Sequence, residues 1–221
     1  MRPTLRFLDE ELITRIVDEA RDLLKTLGVT IHNPDVLALF GDHGAEVDVA
    51  AEHVKLTDEI IDEALRTAPG SFQLYDVLGN QTHDFSGNNV HFVPGSTAIY
   101  VQDSKTEEIR RPATADYVRY AKLMGGMDNI AAQSTAFIPA DVAESVSDCY
   151  RLFLSLLYCE KPVVTGAFTG EGFAPMLDFQ LIVRGSGEAL KEKPLAVFSA
   201  CPTPPLKWSH AASQNLLACA R

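Results

Sequence analysis

The residues with chemical promise sit at the ends of four apolar, β-branched stretches. These ends are Tyr100-Val101-Gln102-Asp103, Gln133-Ser134-Thr135, Thr165-Gly166-Ala167-Phe168 and Ser199-Ala200-Cys201-Pro202-Thr203. They offer hydroxyls, amides and aromatic rings, with few carboxylates and no evident pairing of a base with a nucleophile. Such a lining suits a small polar or quaternary-ammonium ligand held by hydrogen bonds and ring faces. Tyr100, Gln102, Gln133, Thr165, Phe168 and Cys201 are therefore the candidate substrate-binding residues. In the alternative reading, Tyr100 and Phe168 are ordinary core, and Thr165 and Ser199 fill space as small residues. No catalytic residue is assigned.

Other motifs exclude more than they suggest. The sequence has no GxxxxGK[ST] phosphate loop, no GxSxG elbow and no HExxH pair. Gly185-Ser186-Gly187 follows a helical pattern instead of a strand, so it lacks the context of a dinucleotide fingerprint. Gly166 to Gly172 does lie between a strand and a helix. It suits either an anion on helix N–H groups or a flexible turn, and the turn is the simpler reading. The six histidines do not pair at ligand spacing, and no metal ligand set is expected. The four cysteines are far apart with no CxxC pair, which predicts reduced thiols in a cytoplasmic protein.

The elements that must position these residues come from an alternation. Strands are expected near 97–101, 130–135, 162–167 and 195–200. Each precedes a helical pattern: 115–124 capped by Thr114, 143–158, 172–184 and 208–220. Strands alternating with helices imply right-handed crossovers and a parallel sheet, in which chemistry gathers beyond the carboxyl ends of the strands. Four such units suit the first half of a (β/α)8 barrel, or a doubly wound sheet. Ahead of them, Phe72–Val77 and Val90–Val101 are β-rich, and Ser104–Glu107 separates the arms of a hairpin.

Residues 1–70 form a helical amino-terminal extension in this reading, and residues 71–221 the apparently truncated half-barrel. Asp9–Leu27 is amphipathic and ends at Gly28; Asn33-Pro34 and Thr57 open two further helices. The 221 residues carry a net charge of −11, with 15 acids and 7 bases in residues 1–70. That balance argues against nucleic-acid binding. No apolar run spans a membrane and no signal peptide is apparent at the start.

Several short stretches, taken in order, carry a resemblance. They are Leu27-Gly28-Val29-Thr30-Ile31, Gly44-Ala45-Glu46-Val47-Asp48, Ala68-Pro69-Gly70-Ser71-Phe72 and Arg111-Pro112-Ala113-Thr114-Ala115-Asp116. Asp128-Asn129-Ile130, Glu160-Lys161-Pro162 and Cys201-Pro202-Thr203-Pro204-Pro205-Leu206 follow. Over nearly its whole length the chain resembles the amino-terminal half of the trimethylamine methyltransferase family, with its glycine betaine-type relatives. The resemblance implies a TIM barrel that moves a methyl group from a tertiary or quaternary amine to the cobalt of a corrinoid. That corrinoid is carried by a partner protein, and no cofactor is bound by this chain itself. It also implies a homo-oligomer when complete, and in the trimethylamine branch a pyrrolysine in the later half of the barrel. The half-barrel alone is expected to be inactive and poorly soluble. A catalytically silent fragment, or a small-ligand-binding remnant of a barrel enzyme, is the alternative.

Overall fold

Local capping chemistry sets the first helices. The computed structural model describes residues 5–220. Asp9 accepts a hydrogen bond from the Leu12 N–H and opens α1, Glu10–Thr26. Gly28 then turns the chain with φ +70°, leading into β1, Val29–Ile31. Asn33 caps α2, Pro34–Asp42, by accepting from Asp35 and Val36. Two short strands follow, β2 Glu46–Asp48 and β3 His53–Lys55, before Thr57 caps α3, Asp58–Thr67. The helices fall where the sequence places them, but the extension is not purely helical. Strands β1 and β3 pair antiparallel, as do β3 and β2, around a core of Val29, Ile31, Leu37 and Val54.

The next segment opens with a hairpin, β4 Gln73–Tyr75 and β5 Gln81–Asp84. Beyond α6, Phe173–Arg184, the Arg184 guanidinium donates to the carbonyls of Tyr75, Asp76, Val77 and Lys193, which pins this hairpin. The expected strand over Val90–Val101 is mostly irregular. It survives as a parallel bridge between Ala98 and Phe137 and as β6, Val101–Gln102. As the sequence suggests, β6 pairs antiparallel with β7, Ile109–Arg110.

The alternation then appears in order: α4 Thr114–Gly125, β8 Gln133–Ser134, α5 Ser147–Tyr158, β9 Val163–Thr165, α6, α7 Gly187–Glu192 and β10 Ala196–Phe198. The cap of α4 is Ala113 rather than Thr114. Its N–H donates to the Asp116 carboxylate, and Asp141 takes the Thr114 N–H. Strands β8, β9 and β10 are adjacent and parallel. The helix α4 touches β8 and α5 touches β9, while α4, α5 and α6 pack on one another in sequence. Leu152, Val163 and Met176 form the buried centre of this layer. The described residues thus form an α/β structure with several small sheets, and no closed barrel is present among them.

Two last elements return to the first sheet. β11, Lys207–Trp208, pairs parallel with β1, and α8 spans His210–Ala220. The chain divides into two compact units, Met1–Ala68 with Cys201–Leu217, and Pro69–Ala200 with Ala218–Arg221. Residues 201–217, expected in the barrel half, therefore group with the amino-terminal unit.

Candidate functional site

The rim at the carboxyl ends of β8, β9 and β10 is built around one buried ion pair. Arg151 on α5 is 1% exposed. Its Nη2 lies 2.7 Å from Asp148 Oδ1, and its Nη1 donates to the Thr135 carbonyl at 3.1 Å. The guanidinium carbon sits 4.6 Å from the centroid of the Phe168 ring. The second oxygen of Asp148 accepts the Phe168 N–H at 2.6 Å. One carboxylate thus holds both a cation and the backbone of the loop after β9.

The glycines of that loop answer to close approach. A Cβ on Gly166 would lie 2.9 Å from the Ser199 carbonyl. One on Gly172 would lie 3.2 Å from Thr169 Oγ1 and 3.3 Å from Asp148 Oδ2. The loop's N–H groups at Phe168 and Gly172 are already taken, by Asp148 and by Thr169 Oγ1. The turn reading of Gly166–Gly172 fits this geometry, and an anion cradle does not.

The predicted contacts separate on the structure. Side chains alternate along a strand, and Val163 packs on Leu152 and Met176 of the helices. Thr165 therefore shares the helix-covered face; it is 2% exposed, and its Oγ1 lies 3.2 Å from that of Thr135. Gln133 is fully buried, and its Nε2 donates to the carbonyls of Ser155, Cys159 and Lys161. It clamps the end of α5 to β8 and does not face an open concavity. Tyr100 is 56% exposed, with the Arg111 guanidinium 5.9 Å from its ring. Gln102 is exposed and donates to Glu107 within the β6–β7 hairpin. Phe168 is half-exposed, and Cys201 is exposed in the other unit. Thr165 ends β9 and Phe168 stands in the loop that follows, whereas Gln133 is enclosed and Gln102 is turned to its own hairpin.

A second charged knot anchors the hairpin. Asp116, 5% exposed, accepts both Nη1 and Nη2 of Arg110, together with Arg119 and the Ala113 N–H. Arg110 also reaches Asp103. The Arg110 guanidinium holds the Asp116 carboxyl well below the usual carboxylate range. Behind the strands, Tyr117 and Tyr120 bond to Ser155 and Ser134, and burial pushes both phenols up.

Sequence reasoning missed Asp148 and Arg151. Their signal is a charged pair three residues apart in the otherwise apolar helix Ser147–Tyr158. Among the described residues, no group of three His, Cys, Asp or Glu side chains converges to hold a metal. All four cysteines are free. No described helix is long and apolar enough to cross a membrane. What the rim offers is rings, buried hydroxyls and ion pairs that neutralise themselves.

A parallel strand–helix sheet with such a rim places the chain among α/β proteins whose sites lie beyond the carboxyl ends of their strands. The chain belongs to the trimethylamine methyltransferase (MTTB) family, whose model matches residues 1–221. It is 26% identical over 222 residues to a trimethylamine methyltransferase of Desulfitobacterium hafniense, covering 97% of this chain and 43% of that protein. It is 25% identical to a glycine betaine methyltransferase from the same species, over 93% of this chain and 43% of that protein. A proline betaine:corrinoid methyltransferase of Eubacterium limosum is 23% identical over 96% of this chain and 45% of its own length. The chain spans less than half the length of these curated relatives.

Proposed function

We propose that this chain supplies the first βα units of a (β/α)8 barrel that transfers a methyl group from a tertiary or quaternary amine to a corrinoid cobalt. The acceptor is a substrate, carried by a separate cytoplasmic protein. Nucleophilic cobalt(I) gains the carbon–cobalt bond as the carbon–nitrogen bond breaks, and the amine leaves with that electron pair. For a quaternary donor the leaving amine is neutral; a tertiary donor reacts as its protonated ammonium form, so that a neutral secondary amine leaves. This chain's residues bind and orient the donor. The match of the family model over residues 1–221 carries the reading. The charge-compensated rim supports it, because a cation there meets rings and dipoles without a fixed counter-charge.

In this reading Tyr100 and Phe168 line the donor site, Gln102 stands beside them, and Gln133 and Thr165 hold the frame. The complete enzyme assembles as a homo-oligomer. A ring face within about 6 Å of a quaternary nitrogen contributes about 0.5–2 kcal/mol. The test is calorimetric titration of the natural polypeptide carrying this chain, and of its Tyr100→Ala variant, with trimethylamine, glycine betaine and proline betaine. The reading expects one of the three to bind, more weakly in the variant. Equal affinities would remove Tyr100 from the site.

A further inference from the structure

Phe168 does not stand free as a platform for a cation. One face of its ring carries the Arg151 guanidinium at 4.6 Å, and its N–H is held by Asp148 at 2.6 Å. Arg151 is nine-tenths and more buried, and its Nε is without a hydrogen-bond partner among the described residues. The guanidinium's two terminal nitrogens are spent on Asp148 and Thr135, and its carbon lies over the ring. We propose that Asp148 and Arg151 are positioning residues for donor binding. Asp148 fixes the loop after β9 so that Phe168 turns its second face outward. It also cancels the charge that would otherwise repel a cation on that face.

The cancellation is the decisive part. A ring between two cations is unfavourable unless one of them is neutralised close by, since like charges on the two faces of one ring still repel across it. The Asp148 carboxylate, 2.7 Å from Arg151, supplies that neutralisation. Removing its charge leaves a bare guanidinium behind the ring. Removing both charges leaves a neutral ring again.

The proposal rests on the amine-binding reading of the rim, and its test separates the two. Two probes of similar shape are titrated against the natural polypeptide: tetramethylammonium chloride and the uncharged 3,3-dimethylbutan-1-ol. Asp148→Asn should weaken tetramethylammonium about tenfold or more, leave the alcohol nearly unchanged, and move the Phe168 amide proton upfield. The double variant Asp148→Asn with Arg151→Met should recover most of the lost affinity for tetramethylammonium. A merely structural role predicts that both probes weaken together and that the double variant does no better than the single one; that result would overturn the proposal. A wild type that binds neither probe would overturn the amine-binding reading. The positioning claim would then fall if the Phe168 amide proton were unmoved by Asp148→Asn.

Discussion

The Arg151 guanidinium lies over the Phe168 ring, with 4.6 Å between the guanidinium carbon and the ring centroid. The contact joins the helix after one strand to the loop after the next, so two βα units share one buried charge. Asp148 completes it through both carboxylate oxygens. Breaking a buried ion pair by removing one partner costs about 3–5 kcal/mol, so this pair contributes to the stability of the fold as well as to the rim's electrostatics.

Gln133 clamps α5 to β8 through three carbonyls. Gln133→Ala should lower stability by about 2–3 kcal/mol, because buried acceptors lose their donor. Urea denaturation of wild type and variant measures this. A loss below about 0.5 kcal/mol, the scatter of ordinary surface changes, would show that the clamp contributes little.

Gly28 turns the chain between α1 and β1 at φ +70°, and a Cβ there would lie 2.3 Å from the Val54 carbonyl. Gly28→Ala combines a left-handed backbone with a clash against a backbone atom. It should cost about 2–4 kcal/mol, read as a shift of the urea midpoint. An unchanged midpoint would contradict the tight approach of this turn to β3.

Asp116 predicts an acid-sensitive knot. Its carboxyl is held down chiefly by Arg110, so in acid the unfolded chain binds the proton first. A depressed folded pKa gives stability that is fully present above the unfolded value of about 4 and is lost as pH falls below it. Asp116→Asn should therefore melt lower than wild type at neutral pH, with the gap narrowing as pH falls from about 5 to 3. Thermal melts across that range are the check. A gap that stays constant with pH would mean that the carboxylate's charge is not what anchors the hairpin.

The sequence made some of this legible and hid the rest for physical reasons. Caps at Asn33 and Thr57 are local chemistry, so α2 and α3 could be read directly. The parallel alternation survived in β8, β9 and β10 because their buried strands are short apolar or small-residue runs between long helices. Strands β1 to β3 are three residues each, too short for a period, and β5 is the wholly polar Gln81–Asp84. The site reading failed at Gln133, because which way a strand residue points depends on register, and a one-residue change moves it to the other face. Arg151 went unnoticed because its partners are a residue on its own helix, a carbonyl after β8 and a ring after β9, which only the fold assembles.

The central claim is methyl transfer from an amine to a corrinoid cobalt, and one optical measurement tests it most directly. The natural polypeptide carrying this chain is mixed anaerobically with a corrinoid protein reduced to cobalt(I), and trimethylamine, glycine betaine or proline betaine is added. The account predicts that the cobalt(I) absorbance decays into that of methylcobalt(III) with one of these donors, with stoichiometric release of the demethylated amine. A cobalt(I) spectrum that persists with all three donors, from a folded protein that still binds one of them, would contradict the transferase and favour a ligand-binding remnant.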